Sequence, residues 1–237
     1  LPIFILSVKN FSLEQVCTEI LPMIDKHTVI IPLLNGIGTA DKIRSLIGKG
    51  KCQVLDGLIY ITSGSDSDFS IYHTSSYGIV HIGYGNEDQY DETILLKVKN
   101  LLEGGNITCL IEPDIEAAIW TKYILNCAYN VVTAYYKATT GDLRNNELAI
   151  TQLKSLLAEA CLVARTLKVN IASDLEEVHL NHILQIQSEA ATSSLNRDIT
   201  SGRQNELETF SGQLLKSASS CNLTLRSEER RVGKECP

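Results

Sequence analysis

The 237-residue sequence lacks several features that define whole classes of protein. It contains no C-x-x-C pair and an odd number of cysteines, seven, so we predict neither a disulfide framework nor a structural zinc site. Lys and Arg (21) are fewer than Asp and Glu (28), and this acidic balance argues against a nucleic-acid partner. No apolar run approaches the roughly 18 residues of a membrane helix, so we predict no membrane partner either. Cysteines placed in apolar runs favour reduced thiols and a cytoplasmic protein.

Familiar catalytic signatures are also missing. The sequence has no G-x-S-x-G, no P-loop and no H-E-x-x-H. His179 and His182 are spaced i, i+3, but no further ligand completes a metal pattern around them. We therefore predict no metal, and the candidate chemistry must come from other residues.

The first half of the sequence alternates between apolar runs of strand length and helical periodicity. Ser12 with Gln15 has the pattern of a capping box, Thr39 has that of a helix cap, and 63–68 reads as a polar turn. Because continuous apolar strands alternate with helices, we predict a parallel sheet covered on both faces. Strands are predicted within 1–9, 28–36, 52–62, 70–85 and 106–113, and helices within 12–24, 39–48 and 90–105.

After Pro113 only helical periodicity remains, so the predicted fold class is α/β followed by all-α. We predict a sheet domain over 1–112 and a helical domain over 113–225. Residues 226–237 are charged and aperiodic, which predicts a non-native tail, with a solvated natural tail as the alternative. The predicted helices cover 114–136, 145–168, 174–190 and 203–221.

One predicted helix carries polar residues in an unusual arrangement. In "IWTKYILNCAYN" (119–130), Lys122, Asn126 and Asn130 follow one another at steps of four and therefore share one stripe. A solvent-facing stripe is the simplest interpretation. The neighbouring residues are apolar, however, and Asn is a poor residue for the middle of a helix. These features favour amides directed at a polar ligand, beside a lysine whose pKa burial would lower towards that of a proton donor.

Two further segments hold candidate site residues. "TSSLNRDITSGRQNELETFSG" (192–212) includes Ser194 and Glu206, although a capped loop between helices would have a similar composition. "LLNGIG" (33–38) places Asn35 and Gly36 directly after a buried strand, where a simple turn is the alternative. Lys9 ends the first strand in the same way. Ligands in open α/β sheets bind at the carboxyl ends of strands, so these positions are candidates for a binding site.

Together these segments resemble the ketopantoate reductase family. The matching stretches are "LSVKN" (6–10), "LLNGIG" (33–38), "WTKYILNCAYN" (120–130) and 192–212, in the family's order and spacing over residues 1 to about 225. The resemblance implies a truncated Rossmann-type domain followed by a helical domain like the C-terminal domain of 6-phosphogluconate dehydrogenase. It also implies the reduction of 2-dehydropantoate to (R)-pantoate with NADPH, in pantothenate and coenzyme A biosynthesis.

The resemblance also implies a role for each matching residue. Lys122 would be the general acid that protonates the substrate oxygen, and Glu206 the carboxylate beside cofactor and substrate. Substrate-binding residues would be Asn35, Asn126, Asn130 and Ser194. Cofactor-binding residues would be Lys9, Asn35, Gly36 and Glu206.

Three departures from the family are visible, of which Leu195 and Asn196 in place of Met-Leu or Met-Tyr are the mildest. The G-x-G-x-x-G loop that cradles the cofactor pyrophosphate is absent, which predicts a fragment that binds NADPH poorly. Thr140 precedes Gly141 where the family often has a substrate-binding Asn. This difference leaves open a reductase of another 2-oxo acid. A non-catalytic helical association module is a third interpretation, and a homodimer is a candidate assembly.

Overall fold

The computed structural model describes residues 2–65, 70–73, 78–85 and 90–225. The predicted tail over 226–237 lies outside the described residues, as do 66–68 of the predicted turn. The chain divides into two compact units, 1–119 and 120–237. Our predicted domain boundary after residue 112 stays a prediction.

The first unit is built around a parallel three-stranded sheet. Its strands pair in the order β1-β2-β3, with Ile3 opposite Val29 and Ile30 opposite Val54. Every residue of β2 is buried, as its uninterrupted apolar sequence predicts. The strands are β1 (Ile3–Leu6), β2 (Val29–Pro32) and β3 (Gln53–Val54).

A second three-stranded sheet in this unit has mixed direction. Strand β7 pairs antiparallel with β4 and parallel with β8, so the predicted parallel arrangement holds for only part of the unit. Gly57 of β4 allows a close approach to β2, because a Cβ atom there would lie 2.9 Å from the carbonyl oxygen of Pro32. The strands of this sheet are β4 (Asp56–Tyr60), β7 (Ile79–Gly83) and β8 (Thr108–Ile111).

The predicted polar turn over 63–68 is wrong at its first three residues. Ser63–Ser65 forms strand β5, which pairs antiparallel with β6 (Ile71–His73). Ser63 lies opposite His73. Cross-strand hydrogen bonding therefore overrides the turn propensity of serine and glycine at this place.

Three α-helices lie entirely within the described residues of the first unit, and two predicted caps are wrong. Ser12 makes no side-chain cap hydrogen bond, so the capping box with Gln15 does not form. Thr39 is the first residue of its helix, and the cap is Gly38, whose φ of 65° suits a residue without a Cβ atom. The helices are α1 (Leu13–Ile20), α2 (Thr39–Ile47) and α3 (Glu92–Gly104).

The described part of the chain after β8 contains helices and no strand. Two short helices, Thr140–Arg144 and Ser194–Thr200, fall outside the predicted helical ranges, and the second lies within the stretch 192–212. Two π-helical segments, His182–Ile186 and Glu208–Gly212, interrupt the regular pattern. The helices are α4 (Ile115–Tyr136), α5 (Thr140–Arg144), α6 (Glu147–Thr166), α7 (Leu175–Asn181), α8 (Ser194–Thr200) and α9 (Gln213–Ser220).

None of the helices within the described ranges combines the length and the apolar character that a membrane span requires.

Candidate active site

Helix α4 holds the polar stripe, and the stripe is not a solvent-facing surface. Lys122 and Asn126 are partly buried, and Asn130 is only 5% exposed. Among the described residues, the side-chain amides of Asn126 and Asn130 have no hydrogen-bond partner. Buried polar groups in proteins are normally paired, so two open amides on one helix face are features of a binding site rather than of a core.

Lys122 is brought near Glu206, which lies far along the chain but in the same unit. Burial lowers the pKa of Lys122 from 10.5 to about 8, and the negative charge of Glu206 partly opposes this change. Glu206 itself is 5% exposed. The fold therefore places an ammonium group that can lose its proton near neutral pH beside a buried carboxylate.

The lowered pKa of Lys122 predicts a pH dependence of stability. The unfolded chain binds more protons than the folded chain between about pH 8 and pH 10.5, so the free energy of unfolding rises with pH across this range. The free-energy cost of burying the charged Lys122 ammonium is complete below pH 8 and absent above pH 10.5. Between pH 8 and pH 10.5, the free energy of unfolding of the wild type should rise by up to about 3 kcal/mol relative to that of Lys122→Met. Urea unfolding at both pH values measures the gain, and an equal pH dependence of the two proteins would contradict the prediction.

The segment after Glu206 is attached to α4 by side-chain hydrogen bonds. The Tyr123 hydroxyl lies 3.0 Å from the carbonyl oxygen of Thr209 and 3.1 Å from that of Phe210. Cys127 Sγ lies 3.1 Å from the same Phe210 oxygen. The sequence gives little sign of these contacts, because a tyrosine and a cysteine in an apolar helix suggest packing alone.

Helix α8 is attached further along α4, close to Asn130. The Ser193 side chain caps α8 by accepting from the N–H of Asn196, and Thr133 Oγ1 lies 2.7 Å from Ser193 Oγ. Ser194 is the first residue of the helix and is partly buried. Its hydroxyl makes no hydrogen bond within the described part of the chain. Ser194 is therefore a free donor at the start of a helix that is fixed to α4.

Thr140 does not lie in a position to contact a ligand. It is fully buried, with Oγ1 2.7 Å from the Tyr129 hydroxyl and 3.1 Å from the carbonyl oxygen of Ala191. Its hydroxyl is occupied by contacts within the fold. Thr140 therefore gives no support to the interpretation that a different substrate is bound there.

In the first unit, the predicted cofactor residues follow two adjacent parallel strands. Lys9 comes after β1 and Asn35 after β2, so both lie at the carboxyl edge of this sheet. Asn10, which our prediction omitted, donates from Nδ2 to the carbonyl oxygen of Asn35 at 2.7 Å. Gly36 has a φ of 104°, a backbone conformation that residues other than glycine rarely adopt. The ammonium of Lys9 and the amide of Asn35, beside this turn, suit the phosphate and amide groups of a nicotinamide dinucleotide.

An open cavity of about 790 Å³ lies elsewhere in the first unit, along α2 and β3. Arg44, Gln53 and Tyr84 are among its lining residues, and none of the predicted site residues is. The residues that the structure describes also include no group of three or more His, Cys, Asp or Glu that could hold a metal ion. The candidate active site therefore rests on the residues of α4, Ser194 and Glu206, with the β1 and β2 carboxyl edge as a cofactor-binding candidate.

A sheet unit with a polar carboxyl edge can bind a dinucleotide, and a helical unit with a lysine–glutamate pair can supply a proton, so these features are compatible with a two-domain oxidoreductase. Comparison with known proteins defines the family. The model "Ketopantoate reductase PanE/ApbA" matches residues 2–87, and its C-terminal counterpart matches residues 114–227. The chain belongs to the ketopantoate reductase family and is an oxidoreductase of that family.

Two curated proteins show the relationship in sequence. The chain is 28% identical over 221 residues to the "Uncharacterized oxidoreductase YkpB" of Bacillus subtilis, with 93% of this chain and 71% of that protein covered. It is 26% identical over 229 residues to a 2-dehydropantoate 2-reductase of Yersinia pestis, with 96% and 71% covered. The chain is thus similar both to an enzyme with a named activity and to an oxidoreductase whose substrate is not named.

Two solved structures show the relationship in fold. A ternary structure of D-mandelate dehydrogenase with NADH and anilino(oxo)acetate has a TM-score of 0.86 at 18% identity, with 98% of this chain and 74% of that chain covered. A dimeric ketopantoate reductase from Staphylococcus aureus has a TM-score of 0.83 at 22% identity, with 97% and 74% covered. At these identities the likeness concerns the fold alone.

Proposed function

We propose that this chain carries the catalytic residues of a 2-dehydropantoate 2-reductase. The reaction reduces the C2 ketone of 2-dehydropantoate to the alcohol of (R)-pantoate, a step of pantothenate and coenzyme A biosynthesis. The observation that carries this proposal is a buried lysine, Lys122, whose charge interacts with that of Glu206, on the same helix face as the open amides of α4. The named activity of the Yersinia pestis relative supports the choice of substrate.

Lys122 acts as the general acid in this proposal. Reduction of a ketone develops negative charge on the carbonyl oxygen, and an adjacent ammonium group stabilises that charge and then donates its proton. With a pKa of about 8, Lys122 is mostly protonated at neutral pH and still releases its proton readily. A bound nicotinamide supplies the hydride.

Neutral donors orient the substrate. Asn126, Asn130 and Ser194 have side chains without hydrogen-bond partners among the described residues, so their amides and hydroxyl are available to the carboxylate and hydroxyl of a small acid. Neutral donors can bind such a molecule without adding a further buried charge to the site. Their fixed positions hold the ketone where the Lys122 proton can reach it.

The cofactor is NADPH in this proposal, held by Lys9, Asn35, Gly36 and Glu206. Support comes from the polar carboxyl edge of β1 and β2, where dinucleotides bind in sheets of this type. The family resemblance assigns Asn35 to both the cofactor and the substrate. The related D-mandelate dehydrogenase was solved with NADH, so both nicotinamide cofactors belong in the experiment.

A second candidate is a reductase of another 2-oxo acid. The observation that favours it is the fold match to D-mandelate dehydrogenase, a relative with a different substrate. For either function we propose a cytoplasmic enzyme that forms a homodimer, as the Staphylococcus aureus relative is dimeric.

Substrate comparison separates the two candidates. We would assay both the 237-residue chain and an extended protein, in which a glycine-rich dinucleotide-binding βα unit precedes residue 1. Each protein is given 2-dehydropantoate or an aryl 2-oxo acid, with NADPH or NADH. Preference for 2-dehydropantoate with NADPH in the extended protein is the expected result. Turnover of the aryl acid alone would favour the second candidate.

A further inference from the structure

The π-helical segment Glu208–Gly212 begins two residues after Glu206. In a π-helical turn the N–H groups bond to carbonyls five residues back, as the N–H of Gln213 does with the carbonyl of Glu208. The regular ladder is interrupted, so backbone carbonyl oxygens become available to side-chain donors.

Two buried residues of α4 supply those donors. Tyr123, 1% exposed, places its hydroxyl within 3.1 Å of the carbonyl oxygens of Thr209 and Phe210. Cys127, 3% exposed, places its thiol 3.1 Å from the Phe210 oxygen. On α4 these donors directly follow Lys122 and Asn126, so each lies next to a proposed site residue.

The backbone of Glu206 is tied to the same segment. The N–H groups of Thr209 and Phe210 both point to the carbonyl oxygen of Glu206, at 2.9 and 3.2 Å. A shift of the segment relative to α4 therefore moves Glu206. Because charge interactions weaken with distance, such a shift would weaken the action of the Glu206 carboxylate on the Lys122 ammonium.

We propose that Tyr123, assisted by Cys127, is a positioning residue that sets the place of the Glu206 carboxylate relative to Lys122 by holding the π-helical segment against α4. Tyr123 is too deeply buried to touch a substrate or a cofactor, so its proposed role is exerted through the segment. The proposal deepens the proposed function, since it rests on the roles of Lys122 and Glu206 in that function.

The test is the pKa of Lys122 in Tyr123→Phe. The pKa can be measured by NMR titration of the lysine side chains in the 237-residue protein, with Lys122→Met to assign the signal. Phenylalanine keeps the ring but removes the hydroxyl donor. The pKa of Lys122 should fall by about half a pH unit or more, because Glu206 opposes the effect of burial less well. Glu206→Gln should also lower the pKa of Lys122. The double variant, Tyr123→Phe with Glu206→Gln, should lower this pKa no further than Glu206→Gln alone does.

Tyr129→Phe is the matched control. Tyr129 is a second buried tyrosine of α4, 9% exposed, and its hydroxyl contacts Thr140 at 2.7 Å instead of the π-helical segment. Its loss should lower stability without changing the pKa of Lys122. Equal falls in the two tyrosine variants would show general loosening of the fold and would overturn the proposal.

Further outcomes are equally decisive. An unchanged Lys122 pKa in Tyr123→Phe or in Glu206→Gln would overturn the proposal. If Tyr123→Phe does not fold, Cys127→Ala and Cys127→Ser are compared instead. Serine keeps a donor and should preserve the pKa of Lys122, whereas alanine should lower it. Equal pKa values of Lys122 in these two variants would overturn the proposal.

A fall of the Lys122 pKa in Glu206→Gln without a fall in Tyr123→Phe would overturn the positioning role alone and leave the proposed reductase function standing. An unchanged pKa in Glu206→Gln as well would contradict both.

Discussion

Lys122→Ala is expected to lower the turnover of 2-dehydropantoate by about 10²-fold or more in the extended protein. The substitution removes the group that protonates the oxygen as hydride reaches carbon, while Asn126 and Asn130 remain to bind the substrate. The loss should therefore appear mainly in kcat, with a smaller change in KM. Steady-state kinetics near neutral pH measure both constants.

Two control variants sharpen the interpretation of this loss. Lys122→Arg keeps a positive charge but does not release a proton at neutral pH, so it should also lose most of the turnover. Lys154→Ala removes an exposed lysine from helix α6 and should leave kcat unchanged. Near-normal turnover in Lys122→Ala would refute the proposed role of Lys122.

Glu206→Gln is expected to damage both turnover and apparent binding. The neutral amide no longer supports the Lys122 ammonium, so the pKa of Lys122 falls below about 8 and a smaller fraction is protonated at neutral pH. The proposed contact with the cofactor and substrate is lost as well. We expect a decrease in kcat/KM of about 10- to 10²-fold, with kcat falling and KM rising.

Glu208→Gln is the control for this variant. Glu208 is an exposed carboxylate two residues further on, paired with Lys216 at 2.7 Å, so its loss should leave the kinetics unchanged. Equal kinetic constants for Glu206→Gln and the wild type would contradict the placement of Glu206 in the site.

Those parts of the fold that depend on local pattern were predictable from the sequence. Strand β2 and helix α4 have uninterrupted apolar or helical patterns, and their positions agree with the structure. The strand over Ser63–Ser65 was missed, because its hydrogen bonds come from β6 and not from its own composition. The caps at Ser12 and Thr39 were wrong because cap geometry depends on the incoming chain.

The site was predictable to a lesser extent. The stripe from Lys122 to Asn130 follows from helical geometry, but a single carboxylate at Glu206 is ordinary in composition and was selected only through the family resemblance. The contacts of Tyr123 and Thr133 were not predicted, because their partners are a backbone carbonyl and a serine that lie far along the chain. Such contacts exist only once the helices have packed.

The central claim is that Lys122 and Glu206 share one site, and the most direct measurement is the pKa of Lys122 in the wild type and in Glu206→Gln. NMR titration of the Lys122 side chain should give a value of about 8 in the wild type and a lower value in the variant. A value near the ordinary 10.5 in both proteins would show a solvated lysine without a carboxylate neighbour and would contradict the account.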